Sequence, residues 1–216
     1  LGDAVALLPD RDAGPEARAE RVASLYRFRR GQAAVLVASI AAALPRTIPP
    51  DRLEGAALSL YPQRILPRDE LTRALLLGGY RSTGQVTEPG EFAVLGGIVD
   101  CFPSLSPDPV RIEYLGDEVH SLRRFDPESQ RSLGPAGPFT HLPLKEAILT
   151  EEAAAGLTAR LHATARREGT PVPPALLEAL ESRRAIPEWD AFLPDLGGGL
   201  APLQAYLPPE GLIVWD

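Results

Sequence analysis

Apolar side chains recur at near-alternating positions between residues 86 and 132, the most regular pattern in the chain. The alternating apolar positions are Phe92, Val94, Ile98, Phe102, Val110, Ile112, Tyr114, Val119 and Leu122. Glycine, proline and aspartate interrupt this pattern at 88–90, 96–97, 106–109 and 116–117, where they favour turns. Because every second side chain of a strand points to the same face, the pattern predicts short antiparallel strands with one buried face.

The segment before this region mixes continuous apolar runs with helical spacing. Apolar runs at 3–8 and 32–39 enclose a helical pattern at 15–29, and a short helix is predicted at 40–44. Strand, helix and strand in this order indicate a parallel α/β layer. A continuous apolar run is typical of a strand in such a layer, so we expect 32–39 to be buried on both faces.

Three further helices are predicted from apolar spacing and end signals. They lie at 67–79, 150–168 and 173–184, and Thr150 is a candidate N-cap for the second. The remaining segments are predicted from composition. Pro49-Pro50 indicates a boundary, 134–138 a linker, 188–196 a helical turn with a packed loop, and 212–215 a terminal buried strand.

The order of these elements predicts a mixed fold, α/β plus α+β. The simplest arrangement is a small α/β domain, formed by residues 1–57 and 143–216, that is interrupted by an inserted α+β domain with an antiparallel sheet. The inserted domain is expected to span residues 58–142. At 216 residues the chain is long enough for one large or two small domains.

Composition narrows the classes of function and location. The chain carries 22 basic and 29 acidic residues, a net charge of −7, which argues against tight nucleic-acid binding by this region alone. No apolar run reaches the roughly 20 residues of a membrane helix, and no signal peptide is expected. Cys101 is the single cysteine, so it has no internal disulfide partner and is interpreted as a small buried apolar residue in a reducing cytoplasm.

No motif predicts catalysis or a resident cofactor. A nucleotide-hydrolysing site needs the phosphate-binding loop GxxxxGK[ST], which is missing, so the strand ending at Asp216 is expected to be non-catalytic. Carboxylates at Asp100, Glu113, Asp117 and Glu118 leave two interpretations open, a divalent metal site or a solvated face with a turn. Gly96-Gly97 lacks the third glycine of a dinucleotide site and is read as a tight turn or bulge.

Two longer motifs carry a resemblance to a known family. GEFAVLGGIVDCFP followed by PVRIEYLGDEVHSLRRFDPESQRS resembles the module shared by the nucleotide-excision-repair protein UvrB and the transcription-repair coupling factors (Mfd), with the latter closer. The resemblance is strong over 86–133 and collinear elsewhere. It implies a degenerate helicase-like (P-loop-type) domain, split by an inserted domain that docks onto the damage-recognition protein UvrA.

The resemblance also implies which residues dock. The family uses an Arg before the GGIVD strand, an Arg on the following strand and an aromatic residue shortly after it. Arg111 matches the second position, whereas Leu95 and Leu115 occupy the first and third. Arg123 and Arg124 are neighbouring candidates. Either the partner has co-adapted to apolar contacts, or UvrA binds weakly or through these neighbours; Arg111 could equally be a solvated strand residue paired with an acid.

Two classes of function therefore remain open. The first is an interaction module of a coupling factor that recruits UvrA to lesions at stalled RNA polymerase, in a cytoplasmic, nucleoid-associated protein. ATP and magnesium would then serve only a motor elsewhere, and RNA polymerase and DNA would bind other parts. The second is a fragment of UvrB or of an active helicase. An intramolecular contact that masks the docking domain is compatible with the first.

Overall fold

The computed structural model describes residues 4–146, 148, 151–181 and 200–214. Its strands are β1 Val5–Leu8, β2 Val35–Ala38, β3 Leu58–Leu60, β4 Arg81–Ser82, β5 Glu91–Leu95, β6 Ile98–Cys101, β7 Val110–Leu115, β8 Glu118–Phe125, β9 Ser132–Pro135 and β10 Phe139–His141. Its helices are α1 Pro15–Arg29, α2 Ile40–Ala43, α3 Pro50–Ala56, α4 Arg68–Leu77, α5 Glu151–Glu168 and α6 Pro174–Glu181. The fold is mixed α/β with antiparallel sheets.

The alternating region forms most of a six-stranded sheet in the order β4-β5-β6-β7-β8-β9. β5 to β9 pair antiparallel with their neighbours, and only the edge strand β4 runs parallel to β5. The predicted turns at 96–97 and 116–117 are confirmed, and Gly96 and Gly116 have φ of 60° and 62°. This left-handed backbone favours glycine, since a Cβ atom would be strained there.

Helix α4 packs on one face of this sheet and forms the main core. Leu71 and Leu75 on the helix meet Phe92, Val99 and Ile112 on the strands, and the exposed fraction of each is 2% or less. Spacing of four residues puts the two leucines on one side of the helix. The prediction of a helix at 67–79 is confirmed, with Pro67 before its start and Gly78 at its end.

A second core lies between α1 and the two parallel strands β1 and β2. Leu8, Val22 and Leu25 are buried there. The prediction that residues 32–39 are buried on both faces is wrong, because Val35 and Val37 are each 49% exposed. Within the described residues β2 pairs only with β1, and α1 covers one face of this pair, so the other face is open to solvent.

Pro49-Pro50, predicted as a boundary, lies at the start of α3, where a proline at the first helical position needs no N–H partner. Two further predictions need correction. Part of the predicted linker at 134–138 pairs with β8 as β9. The predicted strand at 212–215 is wrong for its first three residues, which are unpaired and 87%, 46% and 88% exposed.

Several predictions lie outside the described residues. They are the N-cap at Thr150, the end of the 173–184 helix beyond Glu181, the turn at 188–196, Trp215 and Asp216. The described parts of the two C-terminal helices, α5 and α6, agree with the spacing that predicted them.

A buried ion pair joins α1 to the segment after β10. Arg21 is 0% exposed, and its Nε donates to Glu146 Oε1 at 3.4 Å, while its Nη1 donates to the carbonyls of Pro9 and Ala42. Arg11 Nη2 reaches the other carboxylate oxygen of Glu146 at 2.8 Å. Because a buried charge needs a partner, these contacts fix the end of the sheet-containing region against the N-terminal layer.

Candidate functional site

Alternation along β5 to β8 divides the side chains of the six-stranded sheet between two faces. One face packs under α4, and we call the opposite one the outer face. Two cross-strand rows on the outer face follow from the strand register, Ala93–Asp100–Arg111–Arg123 and Leu95–Ile98–Glu113–Ser121. Neighbours in such a row have Cβ atoms about 4.5–5.5 Å apart, so residues distant in sequence come within side-chain reach.

Arg111 lies within the first row and is held by an acid on the neighbouring strand. Its Nε donates to Asp100 Oδ1 at 2.8 Å, and its Nη2 donates to Asp100 Oδ2 at 2.7 Å. Asp100 is 1% exposed, whereas the side chain of Arg111 keeps 24% of its surface in solvent. These two charge-assisted bonds raise the pKa of Arg111 above its ordinary value, although partial burial opposes the rise.

An aromatic ring supports the same guanidinium. The centroid of the Phe125 ring lies 4.8 Å from Arg111 Cζ, and Phe125 is fully buried among Val86, Ala93 and Phe102. A cation over a ring face is stabilised by about 0.5–2 kcal/mol. Arg111 is therefore fixed in place, and its Nη1 makes no hydrogen bond within the described part of the chain.

Leu95 and Leu115 lie at the same end of the sheet, where two hairpins turn. Their exposed fractions are 53% and 71%, large values for leucine. The turns are adjacent, because Tyr114 N–H donates to the Gly97 carbonyl at 2.8 Å. Alternation along β7 puts Leu115 on the same side as Arg111. The structure therefore presents apolar side chains at the two positions where the family resemblance implied a charge and a ring.

The two other candidate residues, Arg123 and Arg124, lie on opposite faces of the sheet. Arg123 lies directly across from Arg111 on the outer face, and it is exposed. Arg124 follows on the opposite side of β8, across from Val110, and its Nη1 pairs with Asp108 Oδ2 at 3.2 Å. Leu95, Arg111, Leu115 and Arg123 thus share one face, and Arg124 does not. The docking role of all five stays untested, and their position on the outer face favours Leu95, Arg111, Leu115 and Arg123 over Arg124.

Sequence reasoning placed Arg111 between two inward-facing residues, which is confirmed by Val110 at 5% and Ile112 at 0% exposure. It also left open a strand Arg paired with an acid, and that pair is present. It missed Asp100 and Phe125 as the supports of the guanidinium. The sequence alone indicates Asp100 only as one of several carboxylates, because the strand register that sets it beside Arg111 is a tertiary property.

The carboxylates do not gather into a metal site in the structure. Among the described residues, no group of three or more His, Cys, Asp or Glu side chains converges as ligands would. Asp100 is bonded to Arg111, and Glu113 accepts a hydrogen bond from Ser121. Within the same part of the chain, no helix is both long and apolar enough to cross a membrane.

Another buried carboxylate organises a loop beside the sheet. Glu91 Oε2 accepts from the backbone N–H groups of Thr87 and Glu88 at 2.8 and 2.9 Å, and Oε1 accepts from Arg81 at 2.5 Å. Burial alone would raise the pKa of Glu91, but these donors outweigh it and lower the pKa below its ordinary value. The carboxylate is satisfied locally, so its role is structural.

Comparison with known families identifies the region that carries the outer face. Residues 58–146 match the family model of the UvrB interaction domain. This part of the chain belongs to that family. The matched range contains β3 to β10 and α4, and therefore the whole six-stranded sheet.

Curated relatives extend the similarity over more of the chain. A transcription-repair-coupling factor of Bacillus subtilis is 35% identical over 69% of this chain, and one of Escherichia coli is 37% identical over 58%. The factor of Mycobacterium tuberculosis is 32% identical over 96% of the chain. The resemblance to transcription-repair coupling factors is thereby confirmed. The chain spans only 13%, 11% and 18% of these three relatives' lengths.

Proposed function

We propose that this chain is the part of a transcription-repair coupling factor that docks onto UvrA and so brings it to lesions where RNA polymerase has stalled. The match to an interaction-domain family and the similarity to coupling factors support this proposal. The observation that carries it is the fixed, partly exposed guanidinium of Arg111 on the outer face.

The geometry of Arg111 suits recognition better than stability alone. A guanidinium that is already held by Asp100 and Phe125 loses little side-chain entropy when a partner binds. Arginine also presents several donors in a planar fork, so bonds through Nε and Nη2 leave Nη1 available for a second acceptor. Such partly buried arginines are common among residues that dominate interface energies.

Leu95 and Leu115 define the second part of the proposed surface. Both are more than half exposed at one end of the sheet. Exposed apolar side chains that cluster beside a polar group are typical of protein contacts. We propose that the UvrA of the same organism meets them with apolar side chains, in place of a charge and a ring.

The remaining parts of the proposal concern the surrounding protein. Residues 1–57 and 143–216 would form a degenerate helicase-like domain into which residues 58–142 are inserted. ATP and magnesium would bind only to a motor in another part of the full-length protein, and RNA polymerase and DNA would also bind outside this region. The protein would be cytoplasmic and nucleoid-associated. An intramolecular contact could cover the outer face until UvrA is needed.

Titration calorimetry of the chain with UvrA tests the proposal. Arg111→Ala should weaken binding by about 2 kcal/mol or more, because it removes the central contact. Arg124→Ala is a matched control, since Arg124 is an exposed arginine of the same sheet that lies on the other face. Leu115→Asp provides a second variant that leaves the Asp100 pair intact.

The outcomes separate clearly if folding is verified for each variant by circular dichroism. Binding that Arg111→Ala and Leu115→Asp weaken, and Arg124→Ala does not, supports the proposal. Absence of binding by the parent chain would overturn UvrA docking. Equal affinities for all the variants would leave UvrA as a partner but move the contact away from the outer face.

A further inference from the structure

Two arginines lie opposite each other on β7 and β8, so their repulsion has to be offset by negative charge nearby. Arg111 and Arg123 are direct cross-strand partners on the outer face. Like charges in this position repel each other and destabilise a sheet. Asp100, on the neighbouring strand β6, forms an ion pair with Arg111. Arg123 has no ion-pair partner within the described residues.

Arg123 is the positive charge of this row that lacks an ion pair. Two guanidinium groups and one carboxylate in the row sum to +1. Glu113 in the neighbouring row adds a negative charge nearby but forms no ion pair within the described residues. Arg124 shows the contrast, since it is the next residue along β8 and has an acid, Asp108, at 3.2 Å. The exposed arginine on the far side of the sheet is paired, whereas the exposed arginine on the outer face is not.

We propose that the outer face receives one acidic side chain of the docking partner between Arg111 and Arg123, and that Asp100 is the residue that positions Arg111 for it. This inference rests on the proposed docking to UvrA and specifies the chemistry of the contact. Asp100 occupies Nε and Nη2 of Arg111, so Nη1 and Arg123 together form the receptor for the incoming carboxylate.

The surroundings favour a single carboxylate over a phosphate group. Glu113 lies two residues from Arg111 on the same face and would repel a doubly charged ligand more strongly than a singly charged one. Leu95 and Ile98, in the neighbouring row, offer apolar contact instead of further phosphate-binding groups. A nucleic-acid backbone would also need several basic residues, and this row supplies two.

The position of Asp100 explains why it would act through Arg111 and not directly. It is 1% exposed, so a partner cannot reach its carboxylate. Its two hydrogen bonds hold the guanidinium, and the centroid of the Phe125 ring lies 4.8 Å from Arg111 Cζ. Loss of the carboxylate would free the guanidinium to rotate away from Arg123.

Calorimetric titration against UvrA, with matched single variants, tests the receptor. Arg123→Ala should weaken binding about tenfold and reduce its dependence on salt, as loss of an interfacial charge does. Arg124→Ala should alter the affinity by less than about twofold, because an exposed ion pair away from the interface contributes little.

A double-mutant cycle tests the positioning role. Asp100→Asn should weaken UvrA binding about tenfold in the parent chain but by less than about twofold when Arg111→Ala is already present. A merely structural role for Asp100 would lower the affinity equally in both backgrounds. Asp100→Ser gives a second cycle with Arg111→Ala, and it keeps the test of Asp100 decisive if Asp100→Asn does not fold.

The results distinguish this inference from the function on which it rests. If the parent chain does not bind UvrA, docking itself fails. If the parent binds and Arg123→Ala behaves like Arg124→Ala, the carboxylate receptor is overturned while docking stands. If the effects of Asp100→Asn and Arg111→Ala simply add, the positioning role is overturned.

Discussion

The two faces of the six-stranded sheet differ in what their side chains contact, although they alternate along the same strands. Ile112 points under α4 and is 0% exposed, while its neighbour Arg111 points to the outer face and keeps 24% of its side chain in solvent. The part of the core face that lies under α4 is closed by apolar packing. The outer face contains the Arg111–Asp100 ion pair, the Phe125 ring that supports it and the hydrogen bond from Ser121 to Glu113. Its leucines at positions 95 and 115 are exposed to solvent.

This difference assigns folding to the core face and, in our proposal, recognition to the outer face. The core face must fit α4, so its side chains are constrained by volume. The outer face has no helix over it in the described structure, so charge and shape there can change without loss of the core. The exposed Leu95 and Leu115 belong to this less constrained face.

The largest expected effect of a single substitution lies on the core face. Ile112→Ala should lower the free energy of unfolding by about 3 kcal/mol, because it leaves a cavity beneath α4. Urea denaturation monitored by circular dichroism would measure it. A loss below about 1 kcal/mol would contradict the description of this face as close-packed.

A smaller effect is expected from acid, through a histidine beside α4. His141 is 1% exposed, and burial lowers its pKa to about 4, although the Ala74 carbonyl partly opposes this. The unfolded chain takes up this proton near pH 6.5, so between these values the unfolded state binds more protons. The free energy of unfolding should therefore fall by about 2 kcal/mol from about pH 7.5 to about pH 5.

Comparison of two histidine variants would check this origin. His141→Gln should flatten the pH dependence of the unfolding free energy over that range, whereas His120→Gln, at an exposed site, should leave it unchanged. A slope that persists in His141→Gln would assign the pH dependence to other groups. The result would also show whether protonation of His141, beside α4, is what lowers the free energy of unfolding in acid, as we expect.

The smallest effect on stability is expected on the outer face. Leu115→Ser should alter the free energy of unfolding by less than about 0.5 kcal/mol, since the leucine is 71% exposed. The same urea experiment measures it beside Ile112→Ala, three residues earlier on the same strand. A destabilisation above about 1 kcal/mol would show that Leu115 packs within the fold, and the contrast between the two faces would fail.

Local patterns predicted the central hairpins well. Alternation between Phe92 and Leu122 gave β5 to β8, and glycines at 96 and 116 gave their turns, because both signals depend on neighbouring residues only. Helix α1 has the predicted bounds, with Pro15 at its first position. These elements need little information from the rest of the chain.

Other elements depended on contacts that no local pattern contains. β4 is two residues long and β10 three, so alternation cannot be recognised in either. Whether a face of β2 is exposed depends on how many strands and helices pack around it. A continuous apolar run does not contain that information. The exposed apolar residues at 212–214 were mistaken for a strand for the same reason.

Sequence patterns alone were enough to predict the antiparallel strands, their turns, the family resemblance and the candidate Arg111. The contacts of Asp100 and Phe125 with this side chain, and the positions of Arg123 on its face and of Arg124 on the other, are known only from the fold. They depend on strand register. Alternation assigns each residue to a face, but which residues become neighbours across strands depends on how separate segments pair.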